Sequence, residues 1–265
     1  MAEGAKRTLL AMRGVTKRFP VDDGEIEALA RIDLAIDSGE FVCLIGASGC
    51  GKSTLLRIIA GFEEPTTGEV SVQGRQITGP GSDRGMVFQD YALFPWMTVN
   101  RNIGFGPRQR GLPRAEIAAI ADEFVKLVGL ERFADRYPNQ LSGGMKQRVA
   151  IARVLANDAN ILLMDEPFGA LDALTREQLQ SELLQIWALT KVTVVFVTHS
   201  VEEAVLLSDR ILVMSAGPGR IESDIAIDLP RPRDVSSPEF NAVRRDVARR
   251  LTSHLAPRAL ELAGG

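Results

Sequence analysis

The chain has 265 residues, is 45% hydrophobic and carries a formal net charge of -3. That supplies a core for one large domain or two small ones. The faintly acidic balance excludes a dedicated nucleic-acid binder, which needs a basic face, and the two cysteines, Cys43 and Cys50, are too few for a disulfide framework.

Residues 9 to 45 read as short strands and turns. FVCLIG at 41 to 46 is a continuous apolar run, as a buried parallel strand should be. KSTLLRIIAG at 52 to 61 has helical spacing and a terminal Gly61. Residues 65 to 88 return to strand and turn character. Residues 98 to 160 are mostly helical in pattern, punctuated by Pro107, Pro113 and Pro138. NILLMDEP at 160 to 167 is a second buried strand, 172 to 190 a helix, and VTVVFVTHS at 192 to 200 a third strand. VEEAVLLSDR continues as a helix, and ILVMS, AGPG and RIESDIAIDL form a closing hairpin. Residues 238 to 262 read as a helix rich in Arg, with Arg244, Arg245, Arg249 and Arg250 on a solvated face or on anionic lipid. No apolar run approaches the ~20 residues of a membrane span. The first fifteen residues lack the apolar region of a secretory signal, so a reducing cytosolic setting is expected.

Strands alternating with helices imply an α/β fold with a parallel sheet covered on both faces. The early antiparallel strands and the helical block are attachments to that core.

The chemistry begins at GASGCGKST, which fits G-x-x-x-x-G-K-[ST] between a strand and a helix. Gly46, Gly49 and Gly51 permit a backbone that aims N–H groups at phosphate, and the helix that follows adds its positive end. Lys52 reaches the β- and γ-phosphates of ATP, and Ser53 offers its hydroxyl to Mg2+. Asp165 and Glu166 end an apolar strand, where two acids are costly unless they meet a cation or water. Asp165 suits Mg2+, and Glu166 suits an attacking water. His199 ends the next strand, at the edge where such sheets bind ligands. Gln89, taken alone, is an ordinary surface glutamine.

Over about residues 9 to 235 the chain resembles the ATP-binding cassette (ABC) ATPases. The matching motifs run in the family's order: GASGCGKST, the Gln of VFQD, LSGGMKQR, ILLMDEP, GALD and the His of VTHS. The resemblance implies a P-loop NTPase core with a parallel sheet, an antiparallel β subdomain and a helical subdomain inserted at about 90 to 158. A short helical tail, 236 to 265, follows. It implies that Gly46, Ala47, Ser48, Gly49, Cys50, Gly51, Lys52, Ser53 and Thr54 hold the phosphates. Phe19 matches the aromatic that stacks on adenine. Gln89 matches a residue that touches Mg2+ or its water. Ser142, Gly143 and Gly144 match the signature that contacts the γ-phosphate held by a second copy. Asp172 matches the Asp that crosses the dimer seam, Glu166 the catalytic base, and His199 the switch histidine. Met145 stands where many members have Gln, and Ser200 where Asp is frequent.

One cassette without a coiled-coil insertion resembles a separate transporter subunit. FQDYALFPWMTVNRNI, RYPNQLSGGMKQR, MDEPFGALDALTRE and SAGPGRI resemble the nitrate/sulfonate/taurine importer branch. The expected partners are therefore a second copy, an integral membrane permease and, indirectly, an extracytoplasmic solute-binding protein, with no nucleic acid. The expected place is the cytoplasmic face of the inner membrane. Tyr91, Leu93, Phe94, Pro95, Trp96 and Met97 are either core or a groove for a helix of the membrane partner. A soluble ABC ATPase of a non-transport machine is the alternative.

Overall fold

Two long strands open the chain, the second burying alternate residues from Ile32 to Ile36 and the first burying Leu9, Leu10, Met12 and Val15. In a computed structural model, which describes residues 7–22, 24–169 and 171–253, they are β1 (Thr8–Val21) and β2 (Gly24–Asp37). They form one extended antiparallel hairpin with several register shifts, rather than the short strands expected. β3 (Phe41–Gly46) and α1 (Lys52–Ala60) follow. β4 (Thr67–Val72), β5 (Arg75–Gln76) and β6 (Arg84–Val87) come next. The helical block holds α2 (Val99–Ile103), α3 (Phe105–Gln109), α4 (Arg114–Leu127) and α5 (Gly143–Leu155). β7 (Ile161–Asp165), α6 (Ala173–Thr190), β8 (Thr193–Val197) and α7 (Val201–Leu207) alternate after it. β9 (Arg210–Ser215), β10 (Arg220–Ala226) and α8 (Pro238–Ser253) complete the described residues. The part of the expected last helix beyond residue 253 lies outside them.

The chain divides into two compact units, Met1–Pro80 with Thr193–Gly265, and Gly81–Val192. The first unit carries an antiparallel sheet in the order β2-β1-β4-β5. It also carries β10-β9-β3-β8, in which β3 runs parallel to both neighbours. All six residues of β3 and all five of β8 are buried. Continuous apolar strands of this kind have both faces covered, so the runs FVCLIG and TVVFV identify the central strands. The antiparallel pair β9 and β10 is the hairpin expected around AGPG.

In the second unit β6 and β7 pair in parallel, with Met86 opposite Leu163 and Val87 opposite Met164. α5 packs on both strands and on α2 and α4. Its buried face is Val149, Ala150, Ile151, Ala152, Val154 and Leu155, small and branched residues that let it approach closely. Both α5 and α6 start at side chains that cap their own first turn. Ser142 Oγ accepts from the Met145 amide at 3.3 Å, and Asp172 Oδ1 from the Thr175 amide at 3.0 Å.

Candidate nucleotide site

In the first unit, β3 delivers the chain into residues 47–51 and α1 carries it away. Gly49 (φ +77) and Gly51 (φ +92) take left-handed backbone that other residues adopt only at a cost. Gly51 is the N-cap of α1 and supplies no side-chain cap, as suits a helix start that faces an anion. Lys52 is 6% exposed. Its ammonium donates to the carbonyls of Gly46 at 2.8 Å and Ala47 at 2.9 Å. A buried cation is tolerable only with such partners, and these two hold it inside the loop. Cys50 is wholly buried, with Lys52 Nζ 3.7 Å from its sulfur.

The register sets His199 beside this loop's base. Leu44 pairs with Val197 in the parallel ladder of β3 and β8. Gly46 and His199 each lie two residues further on, at one carboxyl edge. His199 is exposed there, while Thr198 before it is buried. Thr198 Oγ1 donates to Glu203 Oε2 at 2.5 Å and accepts from the Ser200 amide at 3.0 Å, which fixes the turn that presents the imidazole.

Phe19 lies on β1 opposite Ile26 of β2 and is half-buried. The Lys17 ammonium sits 4.8 Å from its ring centre and is tied to Glu63 at 2.5 Å and to the Glu64 carbonyl at 2.8 Å. One face of the ring is thus set by a cation–π contact.

The second unit repeats the register logic. Val87 pairs with Met164, and Gln89 and Glu166 each stand two residues beyond. A Cβ placed on Gly169 would lie 3.6 Å from Gln89 Nε2 and 3.9 Å from Glu166 Oε2, so the amide and the carboxylate converge on that glycine. Glu166 has φ +46, a left-handed conformation costing about 1–2 kcal/mol in a non-glycine residue. Such strain at a candidate base is one sign of a functional constraint. Asp165, at the end of β7, is half-buried.

Ser142 is exposed, Gly143 half-buried and Gly144 buried at the start of α5. A Cβ on Gly144 would meet Thr175 and Leu179 of α6 at 3.5 Å, ordinary contact. Asp172 is exposed and also accepts from the Thr175 hydroxyl at 2.7 Å. The Thr175 amide and hydroxyl hold its carboxyl below the usual range.

A groove of ≈ 310 Å3 in the second unit is lined by Phe88, Ala92, Phe94, Phe105, Arg153 and neighbours. Phe94 packs on Phe105 at 4.5 Å and on Trp96 at 5.8 Å between ring centres, and Trp96 is 68% exposed. The apolar segment is therefore groove rather than core at these positions.

Two residues that shape these sites carry no motif. Asn102 is fully buried and threads the 94–98 turn. It accepts from the Phe94 amide at 2.9 Å and donates to the carbonyls of Phe94, Met97 and Thr98 at 3.0–3.2 Å. Gly219, in the turn before β10, packs on the phosphate loop. A Cβ there would lie 2.2 Å from the Cys50 carbonyl oxygen. Its amide donates to Ala28 O and its carbonyl accepts from Ala30 N, both at 3.0 Å. The closing hairpin thus buttresses the loop. The only sequence sign was the GPG turn itself.

A loop of this shape on parallel strands is matched by known proteins. The family model described as "ABC transporter" covers residues 29–169. The chain belongs to the ABC transporter family. It is an ATP-binding, ATP-hydrolysing subunit with the P-loop ABC ATPase fold. The chain is 54% identical, over 90% of its length, to the bicarbonate transport ATP-binding protein CmpC of Synechococcus elongatus, and spans 37% of that longer protein. It is 49% identical to the nitrate import ATP-binding protein NrtD of Synechocystis, over 89% of each chain. It is 45% identical to the taurine import ATP-binding protein TauB of Roseobacter denitrificans, over 91% of this chain and 92% of that one. Among solved structures it resembles the dimeric ATP-binding cassette MJ0796 bound to ADP and Pi, with a TM-score of 0.72 and 36% identity. The likeness covers 84% of this chain and all of that one.

Proposed function

We propose that this ABC ATPase energises a membrane importer for a small anionic solute such as an alkanesulfonate, taurine or nitrate. What carries the reading is identity of 45–54% over about nine-tenths of the chain to ATP-binding proteins named for bicarbonate, nitrate and taurine. All three solutes are small and carry a negative group.

In this reading the amides of residues 46–54 and the Lys52 ammonium bind the phosphates of ATP, and Phe19 stacks on adenine. Ser53, Gln89 and Asp165 are the residues that would hold Mg2+. Among the described residues no group of three or more His, Cys, Asp or Glu could hold a metal. A hydroxyl, an amide and one carboxylate fit a hard ion that takes its remaining ligands from water and phosphate. Bound there, such an ion would supply neutralisation of the charge on the phosphates. Glu166 polarises the attacking water, and His199 contacts the γ-phosphate. Ser142, Gly143 and Gly144 present the start of α5 to the nucleotide of a second copy, where its dipole favours an anion. Asp172 crosses the seam. ATP then closes the homodimer and hydrolysis loosens it, a cycle driven by differential binding to the two states.

Among the described residues no helix is long and apolar enough to cross a membrane. The permease is a separate chain in this reading, and the protein sits at the cytoplasmic face of the membrane. The groove at Phe94 and Trp96 receives a helix of that permease. Solute choice rests with the permease and an extracytoplasmic binding protein.

The test is growth of a host lacking the gene on sole sulfur and nitrogen sources, including taurine, alkanesulfonates and nitrate. The expected result is selective loss on one source, restored by the wild-type gene and not by Lys52→Ala. Normal growth on every source, with no membrane protein co-purifying, would instead favour a non-transport machine.

A further inference from the structure

Two consecutive non-glycine residues, Tyr91 (φ +65) and Ala92 (φ +43), take left-handed backbone just after Gln89. For a bulky residue this is rare and persists only where the surroundings over-determine it. What determines it is Arg153, two residues from the end of α5. Its guanidinium donates to the Ala92 carbonyl at 2.6 Å and to the Tyr91 carbonyl at 3.2 Å. The same guanidinium lies 5.4 Å from the centre of the Phe94 ring, a wall of the groove.

Tyr91 also reaches the other end of α5. A Cβ on Gly143, the first residue of that helix, would lie 3.2 Å from the Tyr91 hydroxyl oxygen. Gly143 and Arg153 are ten residues apart, about 15 Å along a helix. One residue is thus gripped by its carbonyl at one end of α5 and abuts the signature turn at the other. No motif assigns Arg153 a role, and Tyr91 figures in the sequence only as one of six core-or-groove candidates.

We propose that Tyr91, gripped by Arg153, is the positioning residue that ties the groove at Phe94 to the signature turn Ser142–Gly144. An occupant pressing on Phe94 displaces the Arg153 guanidinium, which moves the two carbonyls it holds. The tyrosine hydroxyl then shifts against Gly143 and re-aims the turn. The helix between the two ends is stiff, so the turn responds rather than the helix. This deepens the reading in which the groove takes a permease helix and the turn closes on a second copy's nucleotide.

Hydrogen exchange on the full chain tests it without nucleotide or partner. The readout is the Met145 and Lys146 amides, which donate to Ser142 Oγ and Ser142 O. Tyr91→Gly tolerates the left-handed backbone and removes the ring. Its melting temperature should stay within a few degrees of wild type while exchange at 145–146 rises at least about fivefold. Arg153→Lys keeps the charge but loses the two-pronged grip, and should raise exchange at the same amides a helix length away. The double variant should add nothing to either single one. Tyr91→Phe removes the hydroxyl oxygen that faces Gly143 and should raise exchange at 145–146 in the same direction as Tyr91→Gly, by at least about twofold.

Wild-type exchange at 145–146 in Tyr91→Gly would overturn the proposal, as would an Arg153→Lys effect confined to residues 91–94. So would wild-type exchange in Tyr91→Phe, since the hydroxyl is the atom that faces Gly143. Gross destabilisation of Tyr91→Gly would mark a plain packing residue. A second arm uses Glu166→Gln. There, adding Tyr91→Gly should raise the ATP concentration for half-dimerisation about tenfold, roughly 1.4 kcal/mol. If Glu166→Gln alone does not dimerise, the sandwich reading fails and the exchange arm still decides this one.

Discussion

Replacing Gly219 by Ala tests whether the closing hairpin shapes the phosphate loop. The added Cβ would stand 2.2 Å from the Cys50 carbonyl oxygen, with Ala28 O and the Leu29 side chain at 3.1 Å. An ordinary carbon–oxygen approach is about 3.3 Å, so something must yield by about 1.1 Å. Gly219 cannot easily retreat, because its amide and carbonyl are both bonded to β2 at 3.0 Å. Cys50 yields instead, and it lies between the two glycines that carry the loop's left-handed turns. Overpacking of this kind costs about 1–3 kcal/mol, which for a chain of this size is a fall of about 2–12 °C in melting temperature. The functional loss should be larger than the stability loss suggests. A displacement of about 1 Å in a positioned group can cost a hundredfold in rate. We expect the affinity for a fluorescent ATP analogue to fall at least about tenfold, or 1.4 kcal/mol. The control is Gly79→Ala, where an added Cβ meets nothing within 4 Å. Wild-type affinity and melting temperature in Gly219→Ala would show that the hairpin yields freely and that the buttress has no role.

Glu166→Gln should bind ATP with near wild-type affinity, lose turnover by at least about a hundredfold and accumulate as an ATP-bound dimer on size exclusion. A variant that stays monomeric at saturating ATP and turns over normally would remove Glu166 from the chemistry. Asn102→Ala strips the 94–98 turn of one accepted and three donated hydrogen bonds. It should cost roughly 2–4 kcal/mol, read by denaturant unfolding, with the ATP affinity of the surviving fold little changed. Replacing Phe94 and Trp96 together by Glu should abolish co-purification with a membrane partner and spare ATP binding; loss of both would point to a folding role. Thr175→Val removes the hydroxyl that donates to Asp172. Because that carboxyl is held low in the folded chain, its contribution is present above the unfolded value near 3.9 and fades as pH falls through the folded one. In Thr175→Val the carboxyl pKa measured by NMR should rise toward the ordinary value. An unmoved pKa would assign the depression to the backbone amide alone.

The closest reading of the site came from strand ends. FVCLIG, GMVF, ILLMD and VTVVFV are apolar runs that each break into polar residues, and a buried strand can only do so at the edge of its sheet. That is why Asp165 and His199 stood out as candidates in the sequence, whereas Gln89 reads alone as an ordinary surface glutamine and only the family resemblance singles it out; the register then sets Gln89 and Glu166 at equal offsets beyond Val87 and Met164. The caps at Ser142 and Asp172 came from the structure, where each side chain accepts from the amide three residues on.

What stayed hidden depends on contacts between distant residues. The length of the β1 and β2 hairpin is set by pairing along two whole strands, and register shifts blurred its alternation. Gly219 and Cys50 are 169 positions apart, and nothing local to either predicts a backbone contact. Asn102 reads as one polar residue in a helix until the 94–98 turn wraps around it. The left-handed turn at Tyr91 and Ala92 has no glycine to announce it, because its determinant is an arginine on α5, far along the chain. The sequence by itself determined the chemistry, since phosphate binding uses short runs of consecutive residues whose conformations are local. Only the tertiary structure decided what braces that chemistry, because bracing is made by groups that the chain separates and packing alone brings together.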